Sequence, residues 1–317
     1  MNRDRIYLGI VTAMIIMVII YASYGLLNGG KEELHYSVSV VIDNSGSDQW
    51  NAFKEGLNQG ANESGIYLNI VSASTFSGLA EEYMILEREL ENGADGVITA
   101  LCDTSDPGGR LEKIAGKNQI VLIASDLDLE NGYALVQPDS HKIGRAIAEM
   151  VLKEKNVDGK TVGVVSGNQR TLAGRQRLAG FQTRMQEECA DFTACFLAKT
   201  EAELEKEMKT PPDILVALDS SAMELTLDYL QKKEASKIRL YGEGRSERAV
   251  YCLDRGMIQG MVVQDEYAMG YESARLIRKC LEHSTGSMSQ VETGFISVTK
   301  EEMHEKEAEK ILFPTVH

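Results

Sequence analysis

Three arginines, Arg170, Arg175 and Arg177, crowd the stretch Gly167–Phe181 of a chain whose net charge is −15. The apolar, β-branched run Thr161–Ser166 before them reads as a buried parallel strand. A Gly-Asn loop ends it, and the helix that follows carries Leu172, Leu178, Phe181 and Met185 on its apolar side. Guanidinium groups just beyond the carboxyl end of a strand stand where open α/β sheets bind ligands. The chemistry they offer is recognition, through charge-assisted and bidentate hydrogen bonds.

Other apolar runs end in side chains of the same kind. Asp43, Asp48, Gln49 and Trp50 follow the first run, Cys102 and Asp103 the third, and Asp126 the fourth. Ile214–Leu218 ends at Asp219, Ile238–Tyr241 at Glu243 and Arg245, and Met261–Val263 at Gln264. A sugar-like polyol needs this set, because each hydroxyl both donates and accepts. Its apolar ring face wants an aromatic, and Trp50 is the only tryptophan. Each residue also has an ordinary structural use: Asp48, Asp219 and Ser246 suit helix N-caps, and Trp50 suits equally well the first core position of its helix. Their joint occurrence on one rim is what points to a ligand.

Catalytic groupings do not emerge. The five histidines fall at helix ends, in a linker or at the terminus, none beside a nucleophile. No spacing suggests zinc or calcium. Gly242-Glu-Gly244 lacks the third glycine of a dinucleotide turn, and Gly159-Lys-Thr161 lacks the upstream glycine of a phosphate loop. No enzyme activity, metal or cofactor is expected, and the acidic balance argues against nucleic acid as a partner.

The elements that must hold these strand ends follow from periodicity. Short apolar runs alternate with amphipathic segments from Tyr36 to the last strand at 295–298, which implies parallel sheets with helices on both faces. More than ten strands in a chain of 317 residues imply two similar lobes. The first thirty residues differ. Asn2-Arg-Asp-Arg5 precedes Ile6–Leu27, a run of 22 residues without a charge, long enough to cross a bilayer. It reads as an export signal or, preferably, a retained anchor, because Tyr21-Ala-Ser-Tyr-Gly25 makes a poor cleavage site. The basic residues before it place residues 31 onward outside the cytoplasm. Export permits a disulfide, and Cys189 and Cys195 are the one pair close in sequence. The alternative is that all five cysteines are small buried side chains.

Lys54-Glu-Gly56, Ala94-Asp-Gly-Val-Ile98, Ile123-Ala-Ser-Asp126, Pro138-Asp139, Arg177-Leu-Ala-Gly-Phe181 and Val262-Val-Gln264 give the chain a specific likeness over residues 36–300. It resembles the type I periplasmic binding proteins, the ribose- and galactose-binding kind of solute receptor. The resemblance implies two doubly wound lobes joined by a three-strand hinge, residues 35–137 with 265–294 and residues 138–264 with 295–312. It implies Trp50 as the sugar-stacking aromatic with Gln49 beside it, Asp126 as a carboxylate pairing with hydroxyls, and Arg177 as the arginine clamp. Asp219 matches a position held by Asn or Asp, and Gln264 the hinge glutamine. Leu127 stands where the family has an arginine, and Gly244, between Glu243 and Arg245, where it has a ligand carboxylate. These departures admit a modified sugar, or another small polar or anionic ligand meeting Arg175, Arg177 and Arg245.

The expected function is therefore a solute-binding protein on the outer face of the cell membrane, single-pass through residues 6–27. It would close on a monosaccharide or derivative and deliver it to an ABC-type permease. The alternative is a ligand-sensing partner of a membrane histidine kinase or chemoreceptor, using the same cleft. A transcription regulator would need a helix-turn-helix where the apolar span stands. Arg177→Ala is expected to abolish binding while the fold survives.

Overall fold

Two six-stranded sheets carry the chain in the computed structural model, which describes residues 13–19, 36–105, 109–127, 133–154, 159–167, 169–188, 190, 194–198, 200–232, 237–283 and 289–313. By packing, residues 1–35 and residues 36–317 are separate units. In the first unit, residues 13–19 form a helix, α1, with exposed side chains. The rest of the expected span, 6–27, lies outside the described residues, and no described helix is long and apolar enough to cross a membrane.

In the second unit, the first sheet contains β1 (Tyr36–Ile42), β2 (Ile66–Ile70), β3 (Gly96–Ala100), β4 (Gln119–Ile123), β5 (Ala134–Pro138) and β11 (Gln290–Thr293), in the order β11-β5-β4-β3-β1-β2. Its inner strands β1, β3, β4 and β5 are largely apolar and buried because both faces of the sheet are covered. Val38, Val40, Ile42 and Ile98 meet α2 (Asn51–Ser64) and α10 (Glu266–His283), while Val41, Val97 and Leu122 meet α3 (Leu79–Glu91) and α4 (Arg110–Ala115).

The second sheet repeats the plan. It contains β6 (Val162–Val165), β7 (Ala194–Phe196), β8 (Ile214–Ala217), β9 (Arg239–Glu243), β10 (Ile258–Gln264) and β12 (Phe295–Val298), in the order β12-β10-β9-β8-β6-β7. One face packs on α5 (Ser140–Leu152) and α6 (Leu172–Glu187). The other packs on α7 (Glu201–Glu207), α8 (Ser220–Lys232), α9 (Glu247–Asp254) and α11 (Lys306–Leu312). The chain passes between the layers after Pro138, after Gln264 and at Gly294, and the last two crossings lie side by side, with Asp265 N donating to Gly294 O at 3.0 Å.

Two details depart from the sequence reading. β12 pairs antiparallel with β10, whereas alternation predicts parallel pairing throughout. The reason is that Gly294 alone separates β12 from β11, so no crossover helix turns the chain round. The strand β11 itself is not foreseen, because Gln290-Val-Glu-Thr293 is polar and gains its place only by pairing with β5 at the sheet edge. Among the cysteines, Cys195 is a free, exposed thiol, and Cys189 lies outside the described residues.

Each lobe has one helix pair packed backbone to backbone. A Cβ at Gly56 of α2 would stand 2.0 Å from Tyr267 O of α10, and one at Gly270 would stand 2.0 Å from Phe53 O. In the second lobe, a Cβ at Gly144 of α5 would meet Arg177 O of α6 at 2.0 Å, and one at Gly180 would meet His141 O at 2.1 Å. The glycines of the quoted motifs are thus contact points, and the second pair fixes the helix that carries Arg177.

Candidate functional site

Arg177 lies in the buried row of α6, with Ala173 four residues before it and Phe181 four after. Helical spacing therefore sends a guanidinium into an apolar stripe, where it requires partners. Its Nη1 donates to Leu218 O at 2.8 Å and to Glu243 Oε2 at 3.2 Å. Its Nε is buried with no hydrogen-bond partner.

Glu243, at the carboxyl end of β9 and 2% exposed, is the acceptor around which the site is built. Besides Arg177 it accepts from Gln264 Nε2 at 2.9 Å and from Ser220 Oγ at 3.3 Å. Burial pushes its pKa up, Arg177 pulls it back, and the charge of Asp219 pushes it up again. Asp219 is held by backbone on both oxygens. Oδ1 accepts from Ala222 N at 2.9 Å, capping α8, and Oδ2 accepts from Gly167 N at 2.9 Å. Close by in charge, Arg245 Nη1 pairs with Glu266 Oε2 at 2.9 Å, a bridge from the β9–α9 turn to the start of α10. The Glu266 carboxyl is pushed up to about 7, mainly by burial, with Arg245 opposing and Glu243 adding to the rise. Arg177 and Gln264 thus meet on Glu243, Asp219 acts on it through its charge alone, and Arg245 pairs with Glu266.

The remaining expected residues stand apart from this cluster. Gln49 is exposed on a 3-10 turn, Asp48–Trp50. Trp50 packs edge-on against Phe53, ring centroids 5.5 Å apart, and gives its indole N–H to Asp43 O at 2.9 Å. Trp50 is half-buried against the core of the first lobe. Asp126 accepts from Tyr133 Oη at 2.8 Å and lines a cavity of about 330 Å³ with Gln176, Gln137 and Asp139. Arg175 is exposed and donates to the carbonyls of Gln169 and Arg170, bracing its own loop. Arg245 lines a second groove, of about 910 Å³, with Asp48, Asn51, Tyr251 and Phe313. Of the expected caps, Ser246 holds α9 through Ala249 N, whereas Ser47 and not Asp48 caps the 3-10 turn.

Asp103 takes part in a contact across the rims of the two lobes. Thr104 N donates to Arg170 O at 3.2 Å, Leu172 N donates to Thr104 Oγ1 at 2.7 Å, and Asp103 lies 3.9 Å from Arg170. Beneath this loop Glu82, fully buried, accepts from Cys102 N at 3.0 Å and Thr99 Oγ1 at 3.2 Å. Burial pushes Glu82 up to about 7 and the Cys102 thiol up to about 12, so the thiol is protonated and no nucleophile at neutral pH.

Both non-glycine residues with positive φ among the described residues, Asn44 at 46° and Ala124 at 47°, also stand at strand ends of the first lobe. Ala124 has no side-chain hydrogen bond to ease that conformation, and it aims Ser125 and Asp126 past β4. Ser125 Oγ and, at the end of β11, Thr293 Oγ1 are buried without hydrogen-bond partners. Among the described residues no group of three or more His, Cys, Asp or Glu could hold a metal ion.

Sequence reasoning missed Glu243 as the centre of the site. A signal existed: Glu243 is two residues beyond Tyr241, so strand alternation gives it the face on which Tyr241 meets α5 and α6.

Solved structures share this architecture. A carbohydrate transporter solute-binding protein from Agrobacterium radiobacter, in complex with D-arabinose, superposes with a TM-score of 0.79 at 17% identity, covering 88% of this chain and 99% of its own. A glucose-galactose binding protein from Geobacillus stearothermophilus gives 0.75 at 18% identity, covering 85% and 99%. An ABC transporter solute-binding protein from Agrobacterium vitis with bound D-fucose gives 0.76 at 17%, covering 87% and 100%. At such identities the likeness is one of fold. No curated protein matches the chain significantly. The family described as the periplasmic binding protein domain, one of binding proteins and not of enzymes, matches residues 38–285, which take in five strands of each sheet and every strand-end residue from Asp43 to Glu266. The chain therefore belongs to the periplasmic binding protein family.

Proposed function

We propose that residues 36–313 form an extracytoplasmic solute-binding domain that closes on a monosaccharide-sized ligand and hands it to an ABC-type permease. In this reading residues 35–137 with 265–294 and residues 138–264 with 295–312 move as two lobes about the three crossings. Residues 6–27 hold the domain at the membrane. The observation that carries the reading is Arg177: a guanidinium clamped by Leu218 O and Glu243, with a buried Nε that no protein acceptor meets. A buried donor in that state calls for an acceptor from a ligand or water.

Ser125 Oγ and Thr293 Oγ1, two further buried polar atoms without partners, flank the first crossing and support the same reading. Register places them level: Ile123 pairs with Val136 and Thr293 with Pro138. The relatives that bind D-arabinose, D-fucose or glucose and galactose supply the ligand class. Binding would shift the chain to a closed conformer through contacts made by both lobes.

A thermal-shift screen of neutral monosaccharides tests the reading. A ligand present at a hundred times its Kd is expected to add about 2.7 kcal/mol of stability. No stabilisation by any sugar would count against it. Loss of sugar uptake on deleting the partner permease would support delivery, and unchanged uptake would refute it.

A further inference from the structure

We infer that Arg245 and Glu266 form a proton-linked clasp between the lobes: closing traps a proton on the Glu266 carboxyl and opening releases it, so that ligand is held more tightly in acid than above neutral pH. This rests on the lobe-closing reading above and adds a regulation to it.

The placement of the pair carries the inference. Arg245, in the turn after β9, is anchored on the side of the second sheet, where its Nε donates to Ile311 O of α11 at 3.4 Å. Glu266 opens α10, which packs on the first sheet with α2. The bond from Arg245 Nη1 to Glu266 Oε2 at 2.9 Å therefore runs from one layer to the other, its side chains 12% and 18% exposed. Around it the layers do not close up. A groove of about 910 Å³ lies between Asn51 and Lys54 of α2 and Val250 and Tyr251 of α9, and Arg245 lines it. A second, of about 570 Å³, is lined by Asp265 and Tyr267, the neighbours of Glu266, with Lys310 and Ile311 of α11. The rims meet in this conformer through Thr104 and the turn Arg170–Leu172, so it is the closed form that buries Glu266.

The charges around Glu266 come from several elements. Arg245 attracts its anion from the β9–α9 turn, Glu243 repels it from the end of β9, and Asp265 repels it from beside it, where Oδ1 caps α10 through Ala268 N. Farther out, the grooves are lined by Asp48, Lys54 and Glu55, by Glu247 and Asp254 of α9, by His304, and by Glu307 and Lys310 of α11. Burial and the two carboxylates outweigh Arg245, and the Glu266 carboxyl keeps its proton up to about pH 7. Parting the lobes exposes it to water, where a glutamate loses its proton near 4.5. Closure thus takes up a proton between about pH 4.5 and 7. The gain this gives the closed form is present in acid and is lost as pH rises through 7.

Calorimetric titration of the full chain with D-arabinose, D-glucose and D-galactose tests the clasp, from pH 5 to 8 in buffers of different ionisation enthalpy. Binding is expected to take up close to one proton per sugar near pH 6, and to weaken about tenfold or more from pH 5 to 8. Glu266→Gln keeps an acceptor for Arg245 but has no proton to exchange. It is expected to lose the uptake and to hold its acid affinity up to pH 8. An affinity independent of pH overturns the clasp. So does a pH dependence that Glu266→Gln leaves unchanged, which is what a merely structural Glu266 would give. If Glu266→Gln fails to fold, Arg245→Met, which removes the charge opposing the proton, is expected to move the fall in affinity to higher pH; an unmoved midpoint refutes the assignment. Binding of none of the three sugars overturns the sugar reading instead, and the clasp is then read without ligand by small-angle scattering. The radius of gyration is expected to grow from pH 5 to 8 in the parent and not in Glu266→Gln, and a constant radius in the parent overturns the clasp.

Discussion

Arg177 is at once a site residue and a structural one, and its removal tests both. Sequence reasoning expects Arg177→Ala to leave the fold intact. The structure adds a cost to that expectation, because the substitution strips a buried carboxylate of its counter-charge and leaves Leu218 O without its donor. A loss of about 3–5 kcal/mol is expected, measurable by urea unfolding. The paired change Arg177→Met with Glu243→Leu removes both charges and is expected to recover most of that stability while sugar binding stays lost; recovery of binding would show that the clamp is not needed. Glu82 gives a pH prediction. Its pKa rises from 4.5 to about 7 because burial disfavours the anion. The folded state therefore holds a proton that the unfolded chain releases between those values, and stability falls as pH rises from about 4.5 through 7. The full shift corresponds to about 3 kcal/mol. Glu82→Gln is expected to raise Tm at pH 8 and to flatten the decline, Glu266 supplying what remains; an unchanged pH profile would refute the assignment.

Between helices, the contacts that position the site are backbone contacts. Gly180→Ala would push a methyl group to 2.1 Å from His141 O and force α5 and α6 apart. The expected cost is about 3 kcal/mol, with weaker ligand binding because Arg177 moves with its helix; an unchanged Tm would mean that the helices give way freely. The rim contact is finer. Thr104→Val keeps the branched shape and deletes the Oγ1 that accepts from Leu172 N. One hydrogen bond of about 1 kcal/mol is lost, and if the rims meet only in the bound conformer the affinity falls about fivefold. The Asp103–Arg170 pair, long at 3.9 Å and exposed on the arginine side, adds little beside it. Titration of Thr104→Val with the best neutral sugar decides whether this contact belongs to the ligand-bound form.

At the scale of the whole molecule, the proposed hinge is three crossings, two of them tied by the hydrogen bond from Asp265 N to Gly294 O. Two lobes that close about it should shrink on binding. Small-angle scattering is expected to show a smaller radius of gyration on adding the neutral sugar that stabilises the chain, and no change would count against lobe closure. The ion pair Arg245–Glu266 spans the same region, so the proton on Glu266 near pH 7 sits where the lobes meet.

How much of this was legible follows from what kind of force acts. Alternating β-branched runs and amphipathic segments determined two doubly wound sheets, because burying both faces of a parallel strand demands uninterrupted apolar sequence. The strand ends determined where polar chemistry gathers, and the glycines of the motifs marked the helix crossings. What the sequence could not decide were the pairings that depend on neighbours distant in the chain. The polar strand β11 forms only because β5 offers it an edge. The antiparallel turn of β12 follows from Gly294 bridging two sheets. Glu243 became the centre of the site because Arg177, Gln264 and Ser220, drawn from three other elements, converge on one carboxylate too buried to stand alone. Local pattern specifies elements through burial, whereas the partner of each buried charge is chosen only when the tertiary fold brings the elements together.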